Sequence, residues 1–177
     1  MVHSFFWKCN VTDYGSEMVE VSDNGQGISE TNFENLCLKH YTSKLQEFED
    51  LPNVETFGFR GEALSSLCAL SKLSVSTCEK GQAIGSKLEY DSHGKLVSCV
   101  KHSRQVFELL KECFSILILL CFSQSGTTVT LCNLFYSLPV RHKEFGRNLK
   151  REFSKMVNTL TGYGLISKGT RLAIVSS

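Results

Sequence analysis

The chain combines short stretches of two different hydrophobic periods. Alternating apolar and polar residues predict strands, whereas apolar residues three or four positions apart predict helices. The alternating pattern predicts strands at 18–22, 73–77, 86–90, 95–100, 127–131 and 170–175. The helical pattern predicts one helix capped by Ser29, a second over 61–70 and a long third over 143–160. Several strands around a few helices predict an α+β fold, with helices packed on one face of a mixed sheet.

Two glycine-containing motifs carry the chemistry. The predicted strand 18–22 runs into Asp23-Asn24-Gly25-Gln26-Gly27, and the predicted helix 61–70 is opened by Gly58-Phe59-Arg60-Gly61-Glu62-Ala63-Leu64. An aspartate at a strand end, followed by two glycines, suits an acceptor for the amino group of a base. A glycine-bounded loop at a helix start presents unpaired N–H groups to a phosphate. Together the two motifs predict a nucleotide pocket.

Each motif also has a simpler interpretation. Asp-Asn-Gly is a common turn sequence, and Asp23 on its own would be read as a turn residue. The second motif shifts the balance towards a base acceptor. Arg60 has two interpretations that remain open: a direct phosphate ligand, or an ion-pair partner of Glu62 or Glu55 that shapes the loop.

A third motif leads to a family resemblance. Gly126-Thr127-Thr128-Val129, together with the two motifs above, resembles three nucleotide-binding motifs of the GHKL ATPases, a superfamily that includes gyrase B, chaperones, histidine kinases and MutL. The segment Leu38-Lys39-His40-Tyr41-Thr42-Ser43-Lys44 narrows this resemblance to MutL. The run from Val54 to Leu70, together with Leu138-Pro139-Val140-Arg141-His142-Lys143-Glu144-Phe145, resembles the eukaryotic post-meiotic-segregation branch. The resemblance covers about residues 13–100 and 126–175.

The resemblance implies a GHKL (Bergerat-type) ATPase sandwich, incomplete over 1–177, with ATP as its ligand. Asp23 would accept a hydrogen bond from the adenine amino group, and Thr127 or Thr128 would join the same water-linked network. Gly25 and Gly27 would let the backbone approach the base, and residues 58–64 would line the phosphate side. Thr42, Ser43 and Lys44 resemble lid residues that contact the nucleotide, although such residues on their own are usually solvated surface.

The resemblance also implies a role in DNA mismatch repair. The intact family forms an ATP-driven clamp, a nuclear heterodimer that binds DNA, and it uses Mg²⁺. Its general-base glutamate and Mg²⁺-binding asparagine lie on a helix upstream of the first motif, and nothing in residues 1–22 resembles that helix. We therefore expect negligible ATP hydrolysis by this chain alone, and low solubility. The alternative is a catalytically inactive product, a truncated isoform or pseudogene-derived chain, that at most binds nucleotide, DNA or a repair partner.

Charge is distributed unevenly along the chain. Residues 1–100 carry 8 Lys and Arg against 14 Asp and Glu, whereas residues 139–177 carry 8 against 2. Four basic residues of the predicted third helix are candidate DNA-phosphate contacts: Arg147, Lys150, Arg151 and Lys155. A solubilising helix face is an equally good interpretation. The 8 cysteines form no CxxC pair and no zinc-spaced cluster, which indicates reduced thiols and no metal centre.

Residues 101–125 depart from the family pattern. They contain a run of 10 almost entirely apolar residues, 113–122, where relatives have a short polar connection. A membrane span needs about 20 such residues, so no membrane crossing is predicted. We interpret the segment as an insertion, expected to be helical or disordered and prone to aggregation.

Overall fold

The computed structural model describes residues 5–41, 61–104 and 124–177. The strands are β1 (Phe5–Thr12), β2 (Met18–Asp23), β3 (Lys72–Cys78), β4 (Gly85–Tyr90), β5 (Leu96–His102), β6 (Gly126–Cys132) and β7 (Thr170–Ser176). The α-helices are α1 (Ala63–Leu70), α2 (Pro139–Arg147) and α3 (Leu149–Ile166), and two short 3₁₀ turns cover Asp13–Gly15 and Glu30–Asn32.

The strands form one mixed sheet in the order β5-β4-β3-β6-β2-β1-β7. All neighbours are antiparallel except β1 and β7, which are parallel. The predicted mixed sheet is therefore confirmed, and each predicted strand is present. The alternation pattern also holds for β1, where Trp7, Cys9 and Val11 alternate with polar residues, but this strand was not predicted.

The two faces of the sheet differ in polarity. Side chains alternate between the faces along each strand, and residues paired across strands lie on the same face, so apolar and polar residues collect on opposite sides. The helix-bearing face carries the core, in which Leu73, Val75 and Leu88 pack with Cys68 of α1. On the polar face, the Asn10 side-chain amide donates to Glu20 at 2.9 Å, and Thr130 donates to the same carboxylate at 3.2 Å. This polarity places the helices on one side of the sheet, as predicted.

The predicted helix behind Ser29 is wrong. A 3₁₀ turn covers Glu30–Asn32, turns continue to residue 37, and Ser29 makes no side-chain cap. In an α-helix the Phe33 carbonyl would accept from the N–H of Cys37, but here the buried Tyr90 hydroxyl donates to it at 2.7 Å. Burial of Phe33 (5% exposed) and Cys37 (0%) therefore produces the helical spacing of apolar residues without an α-helix.

The long helix predicted over 143–160 is in fact two helices. Asn148, with φ −116° and ψ 14°, separates α2 from α3. Its side-chain amide donates to the Glu144 carbonyl at 3.1 Å, and its main-chain N–H donates to the Phe145 carbonyl at 3.0 Å. Asparagine side chains compete for backbone carbonyls in this way and interrupt helices.

Most of the predicted insertion, including the apolar run 113–122, lies outside the described residues. Its two described ends meet, since the Gln124 N–H donates to the Arg104 carbonyl at 3.1 Å. Among the helices of the described ranges, none combines the length and apolar character needed to cross a bilayer.

Candidate nucleotide-binding site

Asp23 lies at the carboxyl end of β2 and is half-buried. Its Oδ1 accepts two backbone hydrogen bonds, from Gly25 at 2.8 Å and from Thr127 at 3.1 Å. The first bond forms a local turn, and the second ties the end of β2 to the start of β6. Within the described residues Oδ2 accepts no hydrogen bond, so the carboxylate is held in place with one oxygen open to a ligand.

The two adjacent threonines of β6 point to opposite faces of the sheet. Thr127 pairs with Thr77 of β3, and their hydroxyl oxygens lie 3.3 Å apart on the same face as the core. Thr128 pairs with Ser22, and their hydroxyl oxygens lie 3.0 Å apart on the polar face. The main-chain N–H of Thr127 contacts the Asp23 carboxylate, while its hydroxyl lies beside that of Thr77. A role for the hydroxyl of either Thr127 or Thr128 towards a ligand stays a prediction.

The two glycines of the first motif have different surroundings. Gly27 has φ +77°, and a Cβ at this position would lie 2.1 Å from the Cys78 carbonyl oxygen. It therefore allows the loop to close against the end of β3. Gly25 instead lies beside the Asp23 carboxylate, since a Cβ there would lie 2.9 Å from Asp23 Oδ1.

The described part of the second motif surrounds the start of α1. A Cβ at Gly61 would lie 2.3 Å from the Tyr41 carbonyl oxygen, so the chain at 41 and the chain at 61 are in contact. Glu62 precedes the helix, with its carboxylate 3.4 Å from His40 Nδ1. Ala63 is the first helical residue, and Leu64 packs against the core.

The remaining predicted nucleotide contacts lie outside the described residues. They are Thr42, Ser43, Lys44, Gly58, Phe59 and Arg60. The alternatives for Arg60 therefore stay open.

Arg104 is a residue of this region that the sequence did not indicate. It is 3% exposed, and its guanidinium donates hydrogen bonds to the Thr128 hydroxyl at 3.2 Å and to the Asp23 carbonyl at 2.5 Å. Burial lowers the pKa of this guanidinium from its usual value. A single arginine inside an apparent insertion has no periodicity or motif that could have identified it.

The four candidate DNA contacts are exposed around the α2–α3 junction. Lys155 forms an ion pair with Glu152 at 2.7 Å, and Lys150 Nζ lies 5.7 Å from the centre of the Tyr14 ring. Arg147 and Arg151 make no such contact with the described residues. The two lysine ammonium groups therefore already have a contact within the chain, whereas the two arginine guanidinium groups have none of this kind with the described residues.

Across the described ranges there is no group of three or more His, Cys, Asp or Glu residues that could hold a metal ion. The use of Mg²⁺ by this chain therefore stays a prediction.

The fold is similar to that of solved repair-protein domains. The structure of the N-terminal domain of a DNA repair protein matches with a TM-score of 0.73 and 39% identity, covering 97% of this chain and 43% of that one. The Aquifex aeolicus MutL ATPase domain complexed with ADP matches with a TM-score of 0.61 and 19% identity, covering 97% and 52%. The fold is therefore that of a MutL-type GHKL ATPase domain.

Curated relatives specify the family. "Mismatch repair endonuclease PMS2" of Gallus gallus is 52% identical over 160 residues, 90% of this chain, and that of Homo sapiens is 50% identical over 161 residues, 91% of it. "DNA mismatch repair protein PMS1" of Arabidopsis thaliana is 48% identical over 162 residues, 92% of this chain. No family model matches. The chain belongs to the MutL family of DNA mismatch repair proteins, on the branch of these relatives, and spans 16% of the length of each.

Proposed function

We propose that this chain binds ATP as the nucleotide-binding part of a MutL-family mismatch repair protein. The observation that carries the proposal is the Asp23 carboxylate, which two backbone N–H groups fix through Oδ1 while Oδ2 stays open. A carboxylate oxygen held in this way is a directional acceptor for the amino group of adenine. The MutL ATPase domain of similar fold was solved in complex with ADP, which supports the same ligand class here.

The start of α1 would hold the phosphate end of the ligand. The backbone N–H groups of the first helical turn have no intrahelical acceptor, and they lie at the positive end of the helix dipole. Glu62 provides no side-chain cap that would occupy them. The family resemblance adds Thr42, Ser43 and Lys44 and residues 58–60 to this side.

We infer that the chain alone hydrolyses ATP negligibly. ATP bound here supplies a phosphoanhydride bond, and its cleavage requires a base that activates water. From Phe5 to Ser22 the described chain forms β1, the Asp13–Gly15 turn and β2, with no α-helix that could carry that base. Loss of a general base typically lowers the rate by ~10² to 10⁴. Binding without turnover is therefore the activity to test.

The binding test compares two aspartates that make the same local turn. Asp23 Oδ1 accepts from the N–H two residues later, and so does Asp91 Oδ1, at 2.8 and 2.9 Å. Asp23→Ala and Asp91→Ala thus lose a similar turn, but only Asp23→Ala loses the base acceptor. Titration with a fluorescent, non-hydrolysable ATP analogue, with and without Mg²⁺, should show saturable binding by the unaltered chain.

Asp23→Ala should weaken this binding at least tenfold, because a hydrogen bond to a charged group contributes about 1.5–3 kcal/mol. Asp91→Ala should bind as the unaltered chain does. Absence of saturable binding by the folded chain, or equal affinities of the two variants, would refute the function. Loss of binding in the Asp91 variant as well would contradict the assignment of the effect to the base acceptor, because Asp91 lies in the separate turn between β4 and β5.

We also infer that DNA phosphates contact Arg147, Lys150, Arg151 and Lys155. Their exposure and the +6 balance of residues 139–177, from 8 basic and 2 acidic residues, support this inference. The logarithm of the DNA association constant should fall linearly with the logarithm of salt concentration, and Arg151→Gln should reduce the slope by about 1. Lys87→Gln is the control, because it also removes one positive charge but from β4, outside the group of candidate DNA contacts, where Lys87 pairs with Glu89. Equal slopes for both variants would exclude a direct contact by Arg151.

The extent of the domain, the localisation and the partners are inferred from the similarity to MutL-family relatives. We infer that residues 1–177 form part of a GHKL domain, with 101–125 as an atypical insertion. We also infer that the protein works in the nucleus with a MutL-family heterodimer partner and mismatch-containing DNA. Co-purification with such a partner from nuclear extract would test both inferences, and a chain recovered alone from another compartment would contradict them.

A further inference from the structure

The Arg104 guanidinium joins the end of β2 to the segment 124–128, which leads into β6 and begins it. Nη2 donates to the carbonyls of Asp23 at 2.5 Å and Thr127 at 3.1 Å. Nη1 donates to the carbonyls of Gln124 at 3.1 Å and Ser125 at 3.0 Å, and Nε donates to the Thr128 hydroxyl at 3.2 Å. The end of β2, the start of β6 and the residues leading into β6 are therefore held by one side chain.

The geometry is specific to arginine. A guanidinium has five N–H donors in a rigid planar fork, and here five acceptors surround it. A lysine ammonium has three donors at a single point, so it cannot reach acceptors spread along a fork. Since Arg104 is 3% exposed, water does not replace lost contacts easily.

Two of these acceptors belong to the residues that build the base site. Arg104 holds the main-chain carbonyls of Asp23 and Thr127 through the same nitrogen. The Thr127 N–H in turn donates to Asp23 Oδ1 at 3.1 Å. The guanidinium also donates to the Thr128 hydroxyl, which lies on the polar face of the sheet. Arg104 therefore approaches Asp23 and Thr127 from the polar face, opposite to the helices. Arg104 therefore sets where the Asp23 carboxylate sits without contacting a base.

We propose that Arg104 is a positioning residue for adenine recognition, fixing the Asp23 carboxylate through the backbones of Asp23 and Thr127. The proposal rests on the proposed function, because it assumes that Asp23 reads the base. It predicts that base selectivity depends on a residue outside all the nucleotide-binding motifs. Affinity for the phosphate part of the ligand depends on α1 and should be affected much less.

The test uses the full chain with two variants of the same region. Arg104→Lys keeps the charge and loses the fork. Glu20→Ala is the control, because Glu20 bonds Asn10 and Thr130 and interacts with Arg104 only through its charge, so its loss leaves all five acceptors of the guanidinium in place. The first measurement is amide hydrogen exchange at Gly25 and Thr127, whose N–H groups bond Asp23 Oδ1, without nucleotide. The second is the ratio of dissociation constants for fluorescent ATP and GTP analogues.

Arg104→Lys should speed exchange at both amides at least tenfold, weaken ATP-analogue binding about tenfold and bring the ATP-to-GTP preference close to 1. Glu20→Ala should change none of these by more than about twofold. Unchanged exchange or selectivity in a folded Arg104→Lys chain would overturn the proposal while the proposed function stands. If the unaltered chain binds no nucleotide, the proposed function fails, and the exchange rates alone decide whether Arg104 positions Asp23.

A second variant covers the case in which Arg104→Lys does not fold. Thr128→Val removes the acceptor of Nε, together with the contact to the Ser22 hydroxyl, and leaves the other four acceptors of the guanidinium in place. It should move exchange and selectivity in the same direction by about threefold. No shift in either measurement would overturn the proposal.

Discussion

Replacing each glycine of the Asp23-Asn24-Gly25-Gln26-Gly27 motif by alanine should separate folding from ligand binding. Gly27→Ala should destabilise the fold, whereas Gly25→Ala should leave stability nearly unchanged and weaken nucleotide binding. The reason is that the Gly27 backbone is pressed against Cys78, whereas Gly25 lies beside the Asp23 carboxylate.

The magnitude for Gly27→Ala has two parts. A Cβ-bearing residue at φ +77° costs about 1–2 kcal/mol. The new Cβ would also lie 2.1 Å from the Cys78 carbonyl oxygen and 2.5 Å from its carbon, which are backbone atoms that cannot rotate away. Such overpacking typically costs about 1–3 kcal/mol. The free energy of unfolding should therefore fall by about 2–5 kcal/mol, a large part of the usual 5–15 kcal/mol.

Gly25→Ala should behave differently because its nearest neighbour is a side-chain oxygen. A Cβ there would lie 2.9 Å from Asp23 Oδ1, and the carboxylate can rotate to relieve the contact. Rotation loses the bonds from the N–H groups of Gly25 and Thr127, so the base acceptor is no longer fixed. Stability should change by less than about 1 kcal/mol, while the affinity for the ATP analogue should fall about tenfold, equivalent to about 1.4 kcal/mol.

Urea unfolding with comparison of m-values measures the first effect, and titration with the fluorescent analogue measures the second. Gly81→Ala is the matched control, because Gly81 has φ +94° but no heavy atom within 4 Å of its would-be Cβ. The difference between Gly27→Ala and Gly81→Ala isolates the contact with Cys78. Equal destabilisation by these two variants would refute the argument from close approach, and equal destabilisation by Gly25→Ala would refute the division of roles.

Three further predictions concern the rest of the fold. Backbone N–H groups four and two residues later hold the pKa of the Asp91 carboxyl below its usual range, so its stabilisation is present above about pH 4 and lost at lower pH. Asp91→Asn should flatten this acid limb of the unfolding midpoint, and an unchanged limb would contradict the assignment. Leu88→Ala should cost about 2–5 kcal/mol in urea unfolding, because Leu88 is 0% exposed, whereas Val97→Ala, at a site 69% exposed, should cost under about 0.5 kcal/mol; similar costs would refute this placement of the core. A hydrogen bond with the Cys68 thiol and burial both raise the pKa of the Cys37 thiol. Thiol labelling followed by mass spectrometry should therefore modify the exposed Cys99 at once and Cys37 only on unfolding, and equal labelling rates would contradict the burial of Cys37.

Local patterns predicted those parts of the fold that local chemistry determines. In β3 the alternation that runs through Leu73 and Val75 is the direct cause of one buried and one polar face, so the strand could be predicted from the sequence. At Phe33 the same kind of reasoning failed, because the chain forms three-residue turns there, and the Phe33 carbonyl accepts from the hydroxyl of the distant Tyr90. Periodicity reports which side chains are buried, and it does not report which partner satisfies the backbone.

The candidate site shows the same division. The motif placed Asp23 at the end of a strand, where the structure has it, because strand pattern and turn chemistry are both local. Arg104 could not be found in this way, since its five acceptors come from two distant segments, at 23 and at 124–128, that only the folded sheet brings together. The faces on which Thr127 and Thr128 lie likewise required the pairing of β6 with its neighbours.

The opposite orientation of Thr127 and Thr128 makes the site sensitive to strand register. A shift of β6 by one residue would exchange the two threonines. It would bring a different main-chain N–H to Asp23 Oδ1 and turn the whole strand to the wrong face. Val129 and Leu131, which pack against the core, oppose such a slip. Substituting these two core residues should therefore alter nucleotide recognition from a distance, because they determine which main-chain N–H of β6 reaches the Asp23 carboxylate.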